Sequence, residues 1–407
     1  MRKDNIESIM KRHLLHTPEG VRDIYNSECA KKRILQDNLH DLLKKYGYHA
    51  IQTPTFEYFD IFGKEIGTTP SKDLYKFFDR EGNTLVLRPD ITPSIARCAV
   101  KYYGEEDLPV RLCYMGNTFI NNTSYQGRLK ESTQLGAELI GDNSVDADAE
   151  IIALVVNALK TAGLQEFQIG IGHVGFFKGL VEAAKLQEET ETELIELLSN
   201  KNFFGVDELI DSLCLSEDLK ELFSMLGSLS MSEDMLNRAK KLAVSYPVVL
   251  EALERLELLL QVLSCYGVEK YVSLEPGMIS SYHYYTGIIF AGYTFGSGEP
   301  IVKGGRYDDL LPYFGKNAPS IGFAVVIDQL MAALSRQKIE ITVQENQILV
   351  VYMEACQPDA IKKALQLREQ GTGVALVKWA DHKTAEDYKA YAKRMHMQDI
   401  IFMGGAQ

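Results

Sequence analysis

The stretch "GNTFINNTSYQGRLKESTQLGAELIG", residues 116–141, reads as strand, loop, strand: β-favouring flanks around a polar, turn-forming middle. Gln134 and Glu138 lie four apart in its second half, and an even separation on a strand puts both side chains on one face. An amide beside a carboxylate there suits a ligand's ammonium group; a solvated polar sheet face is the plainer alternative. The β pattern continues outward in "HAIQTPTFE" (49–57), "LYKFFDR" (74–80), "TLVLRPD" (84–90) and "EFQIGIGH" (166–173), short runs broken by turn residues, as in an antiparallel sheet. Between them "ECAKKRILQDNLHDLLKKYGY" (28–48) repeats apolar residues at three-to-four spacing and stops at Gly47, which predicts an amphipathic helix. "DADAEIIALVVNALKTAG" (146–163) predicts another.

From 175 to 266 the composition turns acidic and helix-forming, with Leu at helical spacing, and this predicts an inserted helical module. Sheet patterning resumes at "KYVSLEPG" (270–277), "YHYYTGIIFAGYTF" (282–295) and "IGFAVVI" (321–327). After residue 345 strands and helices alternate strictly, which predicts a small parallel sheet with helical crossovers as a separate C-terminal domain.

A chain of 407 residues with 46% apolar content supports two or three domains. Its formal net charge of −13 disfavours nucleic acid as a partner, because sequence-independent affinity for phosphate backbones comes from Lys and Arg. The six cysteines are scattered without a CxxC, and the first twenty residues hold no apolar run long enough for a signal peptide or a membrane span; a reducing, cytoplasmic location is expected, with no membrane. The eight histidines show no metal-ligand spacing, and neither GxxxxGK[ST] nor a nucleophile elbow is present, so neither metal nor cofactor is expected.

In "LVLRPDITPSIAR" (85–97) Asp90 and Thr92 end a strand just before a helix start, where capping that helix is the simplest role for either. "SSYHYYTGIIF" (280–290) clusters Tyr282, Tyr284 and Tyr285, and aromatic-rich strands are usually core. Gly304 and Gly305 in "VKGGRYDDLLPYFG" (302–315) allow a tight turn or a close backbone approach. Residue-level reasoning stops at an antiparallel-sheet protein with a candidate polar pocket.

In order along the chain, "TPEGVRDIY", "YGYHAIQTPTFE", "LRPDITPSIAR", "QGRLKESTQLGAELIG", "YYTGIIF", "GGRYDDLL" and "IGFAVVIDQL" resemble the histidyl-tRNA synthetase family over nearly the whole length. The resemblance implies an α+β fold: a class II synthetase-like antiparallel core (1–174 and 267–338), a helical insertion (175–266) and an anticodon-binding-like α/β domain (345–407). It also implies a histidine-like pocket of Asp90, Thr92, Arg128, Gln134, Glu138, Tyr284, Tyr285 and Tyr307. Three departures stand beside it. Ile120, Ser280 and Gln329 occupy positions where that family places arginines on ATP or the adenylate, and Val326 replaces a usual glycine. Neutral side chains cannot neutralise a developing phosphoryl charge.

A synthetase core without these cations but with its pocket is similar to the family of ATP phosphoribosyltransferase regulatory subunits, which pair with the short catalytic chain in the first step of histidine biosynthesis. That resemblance implies a chain without catalysis of its own, a short-form catalytic partner, histidine as effector, and a homodimer through the first helix and "TPTFE". A divergent but active histidyl-tRNA synthetase is the alternative reading.

Overall fold

The computed structural model describes residues 15–63, 69–122, 129–279, 284–343 and 346–404. The chain divides into two compact units, Met1–Glu340 and Ile341–Gln407. Strands of the first unit are β1 (His49–Ala50), β2 (Phe56–Tyr58), β3 (Lys76–Phe78), β4 (Thr84–Leu87), β5 (Val110–Phe119), β6 (Glu131–Ile140), β7 (Phe167–His173), β8 (Val272–Leu274), β9 (Ile288–Thr294), β10 (Val302–Arg306) and β11 (Ser320–Val326).

The hairpin expected from residues 116–141 is the spine of this unit: β5 and β6 pair antiparallel from Val110 opposite Ile140 to Phe119 opposite Glu131. Around it runs an eight-stranded sheet in the order β1-β5-β6-β11-β10-β9-β7-β8. Its interior is antiparallel, but both edges, β1 on β5 and β8 on β7, pair parallel. Parallel neighbours need a long connection, and the segments between those strands supply it.

Strand parity sorts the two faces. Leu135, Ala137 and Leu139 of β6 lie beside Phe323 and Val325 of β11 and are buried. Against this face packs the helix Val145–Thr161, whose cap, Ser144, accepts a hydrogen bond from the Ala147 N–H. The opposite face carries Gln134, Glu138, Gly322, Gly305 and Lys303 in register. Its core, including Tyr114, Ile140, Ile289 and Tyr307, closes on Ile91 and Ile95 at the start of the helix Thr92–Tyr102.

The helix Asn26–Lys45 buries Leu35, Leu39 and Leu43, four residues apart, and the chain leaves it through Gly47 at φ +81. Between β7 and β8 the chain is helical, from Val174–Ala184 to Pro247–Cys265, with Leu194, Leu198, Leu222, Phe223, Leu253, Leu256 and Leu263 in its cores. One reading is corrected, and one pair of alternatives is decided. Tyr284 and Tyr285 precede β9 instead of lying on it, because regular pairing begins only at Ile288. Gly304 and Gly305 sit inside β10, not in a turn. A β carbon on Gly305 would meet the Tyr285 ring at 2.9 Å, so the glycine serves close ring packing.

The second unit has three parallel strands in the order β13-β12-β14, with β12 Gln347–Tyr352, β13 Gly373–Lys378 and β14 Asp399–Met403, linked by the helices Gln357–Glu369 and Ala385–Arg394. Its core is Leu349, Val351, Tyr388 and Ala392. Among the described residues no helix is long and apolar enough to cross a membrane.

Candidate functional site

Glu138 stands at the centre of the polar face of the large sheet, 1% exposed. The Thr92 hydroxyl donates to its Oε1 at 2.8 Å and the Tyr307 hydroxyl to its Oε2 at 2.5 Å. Among the described residues no lysine, arginine or histidine pairs with it. Burial pushes the Glu138 carboxyl up to about 8, against the two hydroxyl donors, which favour the ionised form. The Tyr307 hydroxyl is in turn held protonated, first by burial and then by the adjacent carboxylate.

Local sequence explains how these groups meet. Thr92 opens the helix Thr92–Tyr102, yet its hydroxyl turns to Glu138. Asp90 takes over the helix start: its Oδ1 accepts the Ile91 and Thr92 N–H groups at 2.7 and 3.3 Å. Its Oδ2 accepts from the Tyr284 hydroxyl at 3.3 Å. Capping and pocket-building are thus two ends of one carboxyl, and burial raises its pKa despite those backbone donors. Tyr284 packs edge-on against Tyr285, centroids 4.9 Å apart, and against Tyr307 at 5.8 Å. Gly322 lies directly under Glu138, and a β carbon there would sit 1.6 Å from Oε2.

Asp90, Thr92, Glu138, Tyr284, Tyr285 and Tyr307 therefore form one connected cluster. Gln134 shares the face of Glu138, and its Oε1 is buried with no hydrogen-bond partner among the described residues. Arg128 lies outside the described residues, as do Ser280 and Tyr282. Tyr114 was not foreseen: it is opposite Gly136 in β5, 3% exposed, and its hydroxyl approaches Glu138 and Thr92 without completing a hydrogen bond. Counting residues across the hairpin would have found it, since Gly136 separates Gln134 from Glu138 on that face. Two buried polar atoms without partners, the Tyr114 hydroxyl beside Glu138 and the Gln134 amide oxygen on the same face, are an arrangement that a polar ligand completes.

The flanks of this cluster differ in character. On one side Val326 lies opposite Gln134 in register, Ile120 follows the end of β5, and Gln329 sits in the helix Ile327–Arg336. Asp328 is engaged elsewhere, paired with Lys32 at 2.7 Å and accepting the Thr133 N–H. On the other side a cavity of about 230 Å³ is lined by Met278, Tyr285, Ile289, Tyr293 and Lys303, among others.

A family profile described as histidyl-tRNA synthetase matches residues 20–330. The chain is 41% identical to the ATP phosphoribosyltransferase regulatory subunit of Acetivibrio thermocellus, over 92% of this chain and 90% of the relative. It is 38% identical to the protein of the same name from Ruminiclostridium cellulolyticum, over 97% and 93%. A Bacillus halodurans crystal structure, described as an ATP phosphoribosyltransferase regulatory subunit/histidyl-tRNA synthetase, superposes with a TM-score of 0.85 at 34% identity, covering 96% of this chain and 99% of that one. Histidyl-tRNA synthetase from Nostoc shares the fold at 19% identity, with a TM-score of 0.78 and coverage of 96% and 92%.

Proposed function

The chain belongs to the histidyl-tRNA synthetase family and, within it, to the ATP phosphoribosyltransferase regulatory subunits, and from that footing we propose that it activates a short-form phosphoribosyltransferase and makes that enzyme sensitive to histidine. It catalyses nothing alone. The observation that carries this reading is the buried, hydroxyl-bonded Glu138 on the polar sheet face; beside it, by resemblance to the synthetases, Val326, Ile120 and Gln329 take positions where nucleotide chemistry needs space and cations. A carboxylate without a protein cation has a use for a cationic ligand, and free histidine offers an ammonium and an imidazole to Glu138, Asp90, Gln134 and the three tyrosines. Arg128 joins that pocket by resemblance alone.

Feedback requires histidine to favour one state of the complex over another by about 1–3 kcal/mol. The chain also pairs with a second copy of itself, a reading supported by apolar side chains left exposed near "TPTFE". Cytoplasmic work is consistent with six cysteines that form no disulfide among the described residues. Mixing the purified chain with a short phosphoribosyltransferase tests the proposal: the two should co-elute, turnover should rise, and histidine should suppress it. Separate elution with unchanged turnover rejects the regulatory role. Pyrophosphate exchange with ATP and histidine above background would instead favour an active synthetase.

A further inference from the structure

Resting on the reading of the Glu138 pocket as an amino-acid site, we propose that Lys303 holds the carboxylate of the ligand and sets its selectivity for a zwitterion over the decarboxylated amine. Register places it. Glu138 opposes Gly322, Gly322 opposes Gly305, and Lys303 is two residues from Gly305 in β10, so Lys303 and Glu138 project from the same face. Two strand spacings, about 10 Å, and two residues along, about 7 Å, separate their backbones. A four-carbon lysine arm and a small ligand together bridge that diagonal.

The space between is prepared. Both strands crossing it contribute glycines at that row, Gly322 beneath the Glu138 carboxyl and Gly305 beneath the Tyr285 ring. Beyond Tyr285 opens the cavity of about 230 Å³, and among the described residues that line it Lys303 is the charged one. The cavity's other walls mix apolar side chains, Met278, Ile279, Ile289, Ala291 and Pro300, with Tyr285 and Tyr293, and Lys303 itself is exposed at its mouth. A carboxyl and an ammonium on one sheet face, on either side of the Tyr285 ring, match the two ends of an α-amino acid. A lysine is a compact point charge on a flexible stem, suited to a carboxylate and without the planar fork that clamps phosphate bidentately.

Calorimetric titration of the full chain with L-histidine and with histamine tests this. The wild type should bind histidine about tenfold or more tightly than histamine. Lys303→Met should erase that preference by weakening histidine and leaving histamine unchanged, and Lys303→Arg should restore part of it. Equal effects of Lys303→Met on both ligands, or none on either, overturn the assignment of Lys303 while the amino-acid site stands. A wild type that binds neither ligand removes the site itself, and the role of Lys303 with it.

Discussion

Burying an ionisable carboxyl beside hydroxyls alone costs stability, and Glu138 shows where that cost enters. Its folded pKa, about 8, lies above its ordinary value of 4.5. Below 4.5 the folded and unfolded chains are both protonated at this group; between 4.5 and 8 only the unfolded chain sheds the proton, so stability falls as pH rises, then levels off. Asp90, also raised by burial, acts in the same direction, whereas His173, lowered by burial from 6.5 to about 4, adds stability as pH rises through that window. Above 6.5 the Glu138 effect is clear of His173. Urea unfolding of the unliganded protein should show a loss of about 2 kcal/mol between pH 6.5 and 8, and Glu138→Gln should remove most of it. Glu138→Ala should weaken histidine binding by roughly 1.5–3 kcal/mol, read by calorimetry; an unchanged titration moves the histidine site elsewhere. Gln134 and Glu138 were legible from the sequence because strand parity needs only counting. Tyr114 needed the further step of counting across the hairpin, and Lys303 was not legible, since it lies two strands away and joins the face only through inter-strand register.

At the scale of elements, one buried ion cluster fastens the helical insertion to the sheet. Asp148, on the helix Val145–Thr161 and fully buried, pairs with Arg306 of β10 at 2.6 Å and with Arg255 of the helix Pro247–Cys265 at 2.6 Å. Arg306 also donates to the Asp142 carbonyl and Arg255 to the Asn143 carbonyl, so both guanidiniums are held from more than one side. Removing the shared anion leaves a nearly inaccessible guanidinium with only the longer pair to Asp308 at 3.3 Å, which makes Asp148→Ala cost about 3 kcal/mol in denaturant unfolding. Arg255→Ala leaves the Asp148–Arg306 pair intact and should cost only about 1 kcal/mol. Equal costs would mean that Arg255, and not Arg306, depends on the anion. The helices of the insertion were readable because Leu at three-to-four spacing is a local signal; the caps Ser216 and Ser232 appear only in the structure. Arg306 was read only as part of "GGRYD", since its anion lies 158 positions away and no local pattern announces it. The parallel pairing of β1 and β8 escaped for the same reason: two- and three-residue edge strands carry too little pattern to reveal direction.

For the whole molecule, the small sheet ordered β2-β4-β3 presents two unlike faces. Glu57 and Val86 point inward, where Val86 packs with Phe62 and Leu74 and Glu57 pairs with Arg97 at 2.6 Å. Phe56, Tyr58 and Phe77 point outward, 51%, 58% and 37% exposed, with Phe56 opposite Leu87 and both Tyr58 and Phe77 opposite Leu85. Phe56 and Phe77 already meet edge-on at 5.7 Å, forming a contiguous aromatic surface of the kind that marks an interaction site. The proposed self-association uses this face, next to the "TPTFE" stretch named by the sequence. The chain weighs 45.7 kDa, so light scattering on a sizing column should return twice that mass for the wild type. Paired charges at Phe56→Asp and Tyr58→Asp should return the single-chain mass, because two carboxylates cannot be buried in an aromatic contact without partners. A wild type that elutes as a monomer rejects the dimer. A double variant that keeps the dimer mass but no longer co-elutes with the phosphoribosyltransferase assigns the aromatic face to the catalytic chain instead.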